Sequence, residues 1–405
     1  MARGRAGRTA RRRRRRKRDG STQTGTKEWR AALVSAVLLL RVSGCHLNLL
    51  SVLQPGGMLV SLPESCLLTT STVLHSYLGP FLKSWKPRPS SLVALCVFLV
   101  CERHRGEASD WFPYIDVLPC SYCCPPYFTD TVMAVLPSGV RRRAEEQREG
   151  LQHLYAVHQD FFIRCQHEDG CFGSKSPLLP HRWAWCSINT RSVFMDRPSS
   201  SFLSGPDNYA LAPFLDLLNH RPDVQVKAGF NRTSGCYEIR SISGVQRYHQ
   251  AFINYGSHDN QRLLLEYGFV SSCNPHSVIY VEEGSLQKFG RAPASICSSI
   301  FLCCSRRSQY HGKTPPHAAL LALKSASLTS WLSSQRWRTL LLGQMVSDEE
   351  AQRSVQTAKT LCERLLRETR TSLQEVRRSL TTRGQLSVTL TPGTVCADLP
   401  PPPAV

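Results

Sequence analysis

Hydrophobic positions along the chain change period several times, and each change marks an element. Met58 to Pro63 follows a Pro-Gly-Gly turn and predicts a short strand over 57–63. Ser91 to His104 (SLVALCVFLVCERH) is apolar for too long to be an ordinary strand, and charge closes its end. It predicts a buried helix. The aromatic segment Trp111 to Ile115 is expected to pack on that helix. From Val140 to Phe162, the residues Ala144, Leu151, Leu154, Val157 and Phe161 fall near one face, with Arg and Glu on the other. That spacing predicts a second helix. Val224–Phe230 and Cys236–Ile242 alternate with period two around Asn231-Arg-Thr-Ser-Gly235, a hairpin signal. Ala251–Asn254 reads as a third short strand, and Gln261–Tyr267 as a short helix ended by Gly268.

Beyond Tyr280 the pattern turns helical, with helices expected at 318–328, 331–342 and 346–380. Ser347 and Glu350 form a capping box for the last, and Asp348 and Glu349 suit its dipole. Val355, Ala358, Cys362, Leu365, Leu373, Val376 and Leu380 keep helical spacing. Mixed strands and helices of this kind predict an α+β fold.

Composition changes the picture at the N-terminus. The chain has 405 residues, 41% of them hydrophobic, enough for two or three domains. The net charge of +20 is uneven, because 11 Lys or Arg crowd the first 20 residues. Such a run has nothing to bury and repels itself, so 1–30 is expected to be a disordered basic tail. It suits nuclear targeting or a nucleic-acid contact. The apolar run Ala31–Leu40 is cut by Arg41 after ten residues, short of the roughly 20 that span a bilayer. About thirty residues before it are long for a signal peptide, so neither membrane nor secretion is expected. The 17 Cys are odd in number and irregularly spaced, and Cys96, Cys101 and Cys186 sit in apolar surroundings. This points to a reducing compartment, nucleus or cytosol. Cys120, Cys123 and Cys124 have the spacing of half a zinc site, which Cys165, His167 and Cys171 would have to complete. No second Cys-x-x-Cys exists, so ordinary thiols and no metal are expected.

Several motifs together resemble one family. They are Ser61-Leu-Pro-Glu-Ser-Cys-Leu-Leu-Thr-Thr70, Trp183-Ala-Trp185-Cys186, Asn189-Thr-Arg191, Leu211-Ala-Pro213 through Asn219-His220, and Tyr255-Gly256 through Tyr267-Gly-Phe269. This set resembles the Rubisco-methyltransferase-like branch of SET-domain protein lysine methyltransferases. The resemblance covers most of 57–280 and, more loosely, 315–380. It implies a β-rich SET domain at 57–280, split by a helical insert at about 85–180. An all-helical substrate-binding domain at 281–380 and a disordered tail at 381–405 would follow. It further implies S-adenosyl-L-methionine as cofactor and a protein substrate, a lysine of a histone tail or of another protein, in nucleus and cytoplasm. Residue by residue, Tyr255 matches the catalytic tyrosine, which also faces the cofactor. Asn219 and His220 match the cofactor pair, and Arg191 the arginine facing the methionine carboxylate. Tyr267 and Phe269 match walls of the lysine channel. The chain departs from the pattern at 31–56. Where the family has a glycine-rich segment, this chain has Leu47-Asn-Leu-Leu-Ser-Val-Leu53. Loss of that segment implies a missing wall of the cofactor pocket. The alternative function is then a non-catalytic chromatin or protein interaction module.

Overall fold

The computed structural model describes residues 40–43, 46–160, 178–281, 300–303 and 348–382. The basic tail, Phe161, the Cys165–Cys171 group, the capping Ser347 and the helices expected at 318–328 and 331–342 lie outside these residues. Strands β1 (Leu40–Ser43) and β2 (His46–Leu49) lead to β3 (Met58–Pro63). Helices α1 (Thr70–His75), α2 (Gly79–Ser84), α3 (Ser91–Arg105) and α4 (Phe112–Ile115) follow, then α5 (Asp130–Val135), α6 (Ser138–Val157) and α7 (Leu178–Arg191). Next come β4 (Ser192–Arg197), β5 (Asp207–Leu211), β6 (Asn219–His220), β7 (Val226–Asn231), β8 (Cys236–Ser241) and β9 (Phe252–Ile253). A short α8 (Asn260–Arg262) runs into a π turn at Leu263–Tyr267. The pair β10 (Val278–Val281) and β11 (Ile300–Cys303) precedes the long helix α9 (Asp348–Thr382).

The chain divides into two compact units, Met1–Tyr122 with Gly150–Gly256, and Cys123–Glu149 with Ser257–Val405. The division cuts across the expected 57–280 domain. In the first unit, β7 and β8 form the expected hairpin, paired from Val226↔Ser241 to Asn231↔Cys236. The Asn231 side chain accepts the Thr233 amide at 3.0 Å, and Gly235 takes a positive φ of 66°, which closes the turn. β3 lies on the other side of β8, antiparallel, giving the order β3-β8-β7.

Among the described residues, two cores fill this unit. One surrounds α3, whose residues Val93 to Cys101 are all buried. A helix apolar all round needs neighbours on every side. Residues of α1, α2, α4 and α7 supply them, including Val73, Leu82, Tyr114, Trp183 and Ile188. Ser90 caps α3 by accepting the Val93 amide at 3.3 Å, and Gly106 follows its last turn at φ 53°. The second core lies on the β3–β8 sheet and holds Leu59, Val60, Leu62, Tyr237 and Ile239. Leu47 and Leu49 belong to it as well, both essentially inaccessible. The stretch 31–56, atypical against the family pattern, therefore contributes part of its described length to the core. Backbone bonds seat it: Leu49 donates to His249, Tyr248 donates to Leu49, Ala251 donates to Leu47, and Leu53 and Val245 exchange both bonds.

In the second unit, Thr129 caps α5 and Asp259 caps α8, its Oδ1 accepting the Gln261 and Arg262 amides. Three local expectations are corrected here. Gln261–Tyr267 is only briefly α-helical before widening into the π turn. Ile300–Cys303, in a stretch where the resemblance implies helix, pairs antiparallel with Val278–Val281. Its Ile-Phe-Leu run suits a pleated strand. On α6, whose residues from Gly150 on belong to the first unit, Ala144 and Leu151 are buried as expected, but Val157 at the helix end is 49% exposed.

Candidate functional site

A short parallel ladder brings the Asn219–His220 motif beside the strand that leads to Tyr255. In it Asn219 lies opposite Phe252 and His220 opposite Ile253. The Arg221 amide extends the ladder by donating to the Ile253 carbonyl at 2.9 Å. Parallel neighbours require a long connection, which the β7–β8 hairpin provides. Tyr255 emerges two residues beyond β9 and is tied back to the β6 segment twice. Its amide donates to His220 Nδ1 at 3.1 Å, and its hydroxyl donates to the Leu218 carbonyl at 2.8 Å. The two rings lie 5.1 Å apart at 37°. Because Nδ1 accepts a hydrogen bond, the neutral His220 ring carries its proton on Nε2. Asn254 clamps the chain on both sides of Tyr255: Nδ2 donates to the Pro222 carbonyl at 3.2 Å, and Oδ1 accepts the Gly256 amide at 2.9 Å. Gly256 has φ 133°, a conformation that favours glycine.

Arg191 ends α7 and is held by the residues just before β6. Its Nη1 donates to the Asp216 carbonyl at 3.1 Å and to Asp216 Oδ2 at 3.3 Å. The Tyr114 hydroxyl donates to the same Oδ2 at 3.1 Å. The Asp216 side chain is 3% exposed and that of Arg191 21%. The turn preceding Asp216 is strained, with Phe214 at φ 72°. It directs both the carbonyl and the carboxylate of Asp216 at one guanidinium nitrogen. Burial raises the Asp216 pKa, with Arg191 and Tyr114 drawing it back. Burial opposes the charge of Arg191, but Asp216 outweighs it and holds the guanidinium above its usual range. Tyr122 also faces Arg191; burial pushes its hydroxyl up to about 12 although Arg191 pulls the other way.

Tyr267 and Phe269 lie in the second unit, where their rings are 6.2 Å apart. His258 lies 5.7 Å from the Tyr267 ring. Burial, and then Glu266, raise the Tyr267 hydroxyl pKa. Between the two aromatics Gly268 turns left-handed at φ 81°, and a Cβ there would lie 2.8 Å from the Cys123 carbonyl oxygen. The structure thus places Asn219 and His220 on one ladder with Tyr255 bonded to it, Arg191 beside the turn that leads into it, and Tyr267 with Phe269 in the second unit.

Four contributors were given no role from the sequence. Asp216 stands three residues before Asn219, so proximity to the motif was an available signal. Asn254 adjoins Tyr255, and its clamp depends on Pro222, 32 residues away. Tyr114 carried no signal beyond the aromatic segment expected to pack on a helix, and Tyr122 lay within the Cys120–Cys124 run considered for its thiols. Among the described residues, no group of three or more His, Cys, Asp or Glu is placed to hold a metal ion, and no helix is long and apolar enough to cross a membrane.

No family model matches the chain. Individual proteins do. SET domain-containing protein 4 of Homo sapiens is 43% identical over 335 residues, covering 80% of this chain and 75% of the human protein. An actin-histidine N-methyltransferase of Drosophila melanogaster is 30% identical over 203 residues, or 46% of this chain and 37% of that one. Among solved structures, the SET domain of LSMT bound to lysine and AdoHcy superposes with a TM-score of 0.57 at 18% identity, covering 90% of this chain and 85% of that one. The last likeness shows an α+β SET-domain fold. The first, at high identity and over most of both chains, shows that this chain belongs to the SET domain-containing protein 4 family.

Proposed function

We propose that the chain transfers a methyl group from S-adenosylmethionine to the side-chain amine of lysine, in histones or other proteins. The observation that carries this reading is the fixed Tyr255 hydroxyl, bonded to the Leu218 carbonyl beside the Asn219–His220 pair. The residues present fit the cofactor. Arg191 Nε is buried and has no hydrogen-bond partner among the described residues, and a charged donor left unmet is costly. A methionine carboxylate would satisfy it, work suited to a guanidinium. Asn219 and His220 would hold the remainder of the same molecule. When bound, S-adenosylmethionine supplies an electrophilic methyl group on a sulfonium.

Tyr255 commits its proton to Leu218. Its oxygen is left to accept from an amine N–H or a polarised methyl C–H. Positioning of this sort removes much of the entropic barrier. Free lysine has a pKa near ~10.4 and is mostly charged at neutral pH. Apolar walls favour the neutral, nucleophilic amine, the role we assign to Tyr267 and Phe269. The basic run at 11–18 is proposed to direct the chain to the nucleus, with a cytoplasmic pool, and to contact nucleic acid.

Mass spectrometry of histones and other cellular proteins incubated with the chain and labelled cofactor should locate methyl groups on lysine. Tyr255→Phe should lower the turnover number by about 10²-fold or more, the scale of losing one oriented polar group at a reacting centre. A folded chain that binds no S-adenosylhomocysteine in calorimetry refutes the enzymatic reading and favours the interaction module. Methyl groups found on histidine instead of lysine refute the lysine assignment.

A further inference from the structure

Two tyrosines outside the motif residues converge on Arg191. Tyr114 lies on α4 and Tyr122 in the segment after it, within the helical insert. The Tyr114 hydroxyl is buried and donates to Asp216 Oδ2, the oxygen that also accepts from Arg191 Nη1. The direction of the Tyr122 bond follows from its neighbours. Tyr122 Oη lies 2.7 Å from Ser187 Oγ, and Ser187 Oγ donates to the Trp183 carbonyl at 2.9 Å, one helical turn back. With the Ser187 proton committed, Tyr122 is the donor between the two hydroxyls. Its oxygen is then an acceptor for the Arg191 guanidinium, with which it interacts. Arg191 is thus held directly by Asp216, which Tyr114 steadies, and it interacts with Tyr122 as well.

We propose that Tyr114 and Tyr122 are positioning residues for Arg191: they fix the orientation in which its guanidinium meets the carboxylate of an S-adenosyl amino acid. This rests on the methyltransferase reading. Two physical effects support it. A long arginine side chain loses considerable rotamer freedom on binding, and a pre-set orientation avoids that cost. Asp216 and an incoming carboxylate are also both anions at one guanidinium. The proton donated by Tyr114 spreads the Asp216 charge and eases the approach of the second anion.

The test compares two ligands by calorimetry on the full chain. S-Adenosylhomocysteine has the carboxylate; 5′-methylthioadenosine shares the nucleoside and lacks the amino-acid end. Tyr114→Phe and Tyr122→Phe should each weaken S-adenosylhomocysteine by roughly tenfold, the scale of a hydrogen bond to a charged group. Binding of 5′-methylthioadenosine should stay within about twofold, since the altered hydroxyls act through Arg191. Arg191→Lys should give the same selective loss, and Tyr114→Phe added to it should cost little more, as expected of coupled residues. Tyr122→Phe, at a less buried ring, keeps the test available if Tyr114→Phe fails to fold. Equal weakening of both ligands, no weakening of either, or fully additive losses would overturn the inference while leaving the methyltransferase reading in place. A wild-type chain that binds neither nucleoside overturns both.

Discussion

Leu49→Ala measures whether the glycine-free segment at 47–53 belongs to the core. Leu49 is 1% exposed and Leu47 is fully buried, in one core cluster with Leu59 and Val60 of the sheet and with Ala251. The substitution removes three buried carbons and leaves a void, while the backbone bonds to His249 and Tyr248 remain possible in the variant. Transfer and cavity losses for a buried leucine total about 2–5 kcal/mol. With about 3 kcal/mol as the working value, the midpoint of thermal unfolding should fall by roughly 6–12 °C, at 2–4 °C per kcal/mol for a unit of this size. Circular dichroism against temperature, repeated in urea, reads the change. Val52→Ala is the control: Val52 belongs to the same segment but is 51% exposed, and a change within about 0.5 kcal/mol is expected. If Leu49→Ala costs less than about 1 kcal/mol, or Val52→Ala costs as much, the segment is not seated on the sheet. The same two variants bear on the alternative function, because a segment docked in the core is an integral part of the unit that carries Tyr255.

Other expectations rest on separate features. Gly268→Ala forces a side chain into a left-handed position and against the Cys123 carbonyl. It should cost about 1–3 kcal/mol, read as faster hydrogen exchange across 260–268; unchanged exchange there would refute the clash. His158 is buried, and burial lowers its pKa from the ordinary value. A base with a depressed folded pKa contributes stability at neutral pH that is lost as pH falls below the ordinary histidine pKa, near ~6.5, and through the folded value. His158→Gln should therefore flatten the decline of the unfolding midpoint between neutral and mildly acidic pH, and an unaltered slope would count against burial as its cause.

Much of the architecture was legible because it is written in near neighbours. The unbroken apolar run of α3 allows nothing but a helix surrounded by protein, and the alternation around Asn231–Gly235 allows little but a hairpin. The motif residues Arg191, Asn219, His220, Tyr255, Tyr267 and Phe269 were recognisable as a set because their spacing and neighbours recur together. Their residue-level contacts were not recognisable. The ladder that joins Asn219–His220 to Phe252–Ile253 is two residues long on each side. No periodicity can declare a strand that short.

Local chemistry therefore determined which segments become helix or strand, and it marked which residues belong to the family. Tertiary structure alone decided what those residues touch. Tyr114 meets Asp216 across 102 residues of chain, and only the packing of α4 in the common core brings them together. The seating of Leu47 and Leu49 is the same kind of outcome: the lack of glycine at 47–53 was visible, but not that the leucines there fill the sheet's core. The reason is physical. Propensity and periodicity act over a few residues, whereas distant pairings must offset loop-closure entropy, and only the burial and hydrogen bonding of the completed fold can do so.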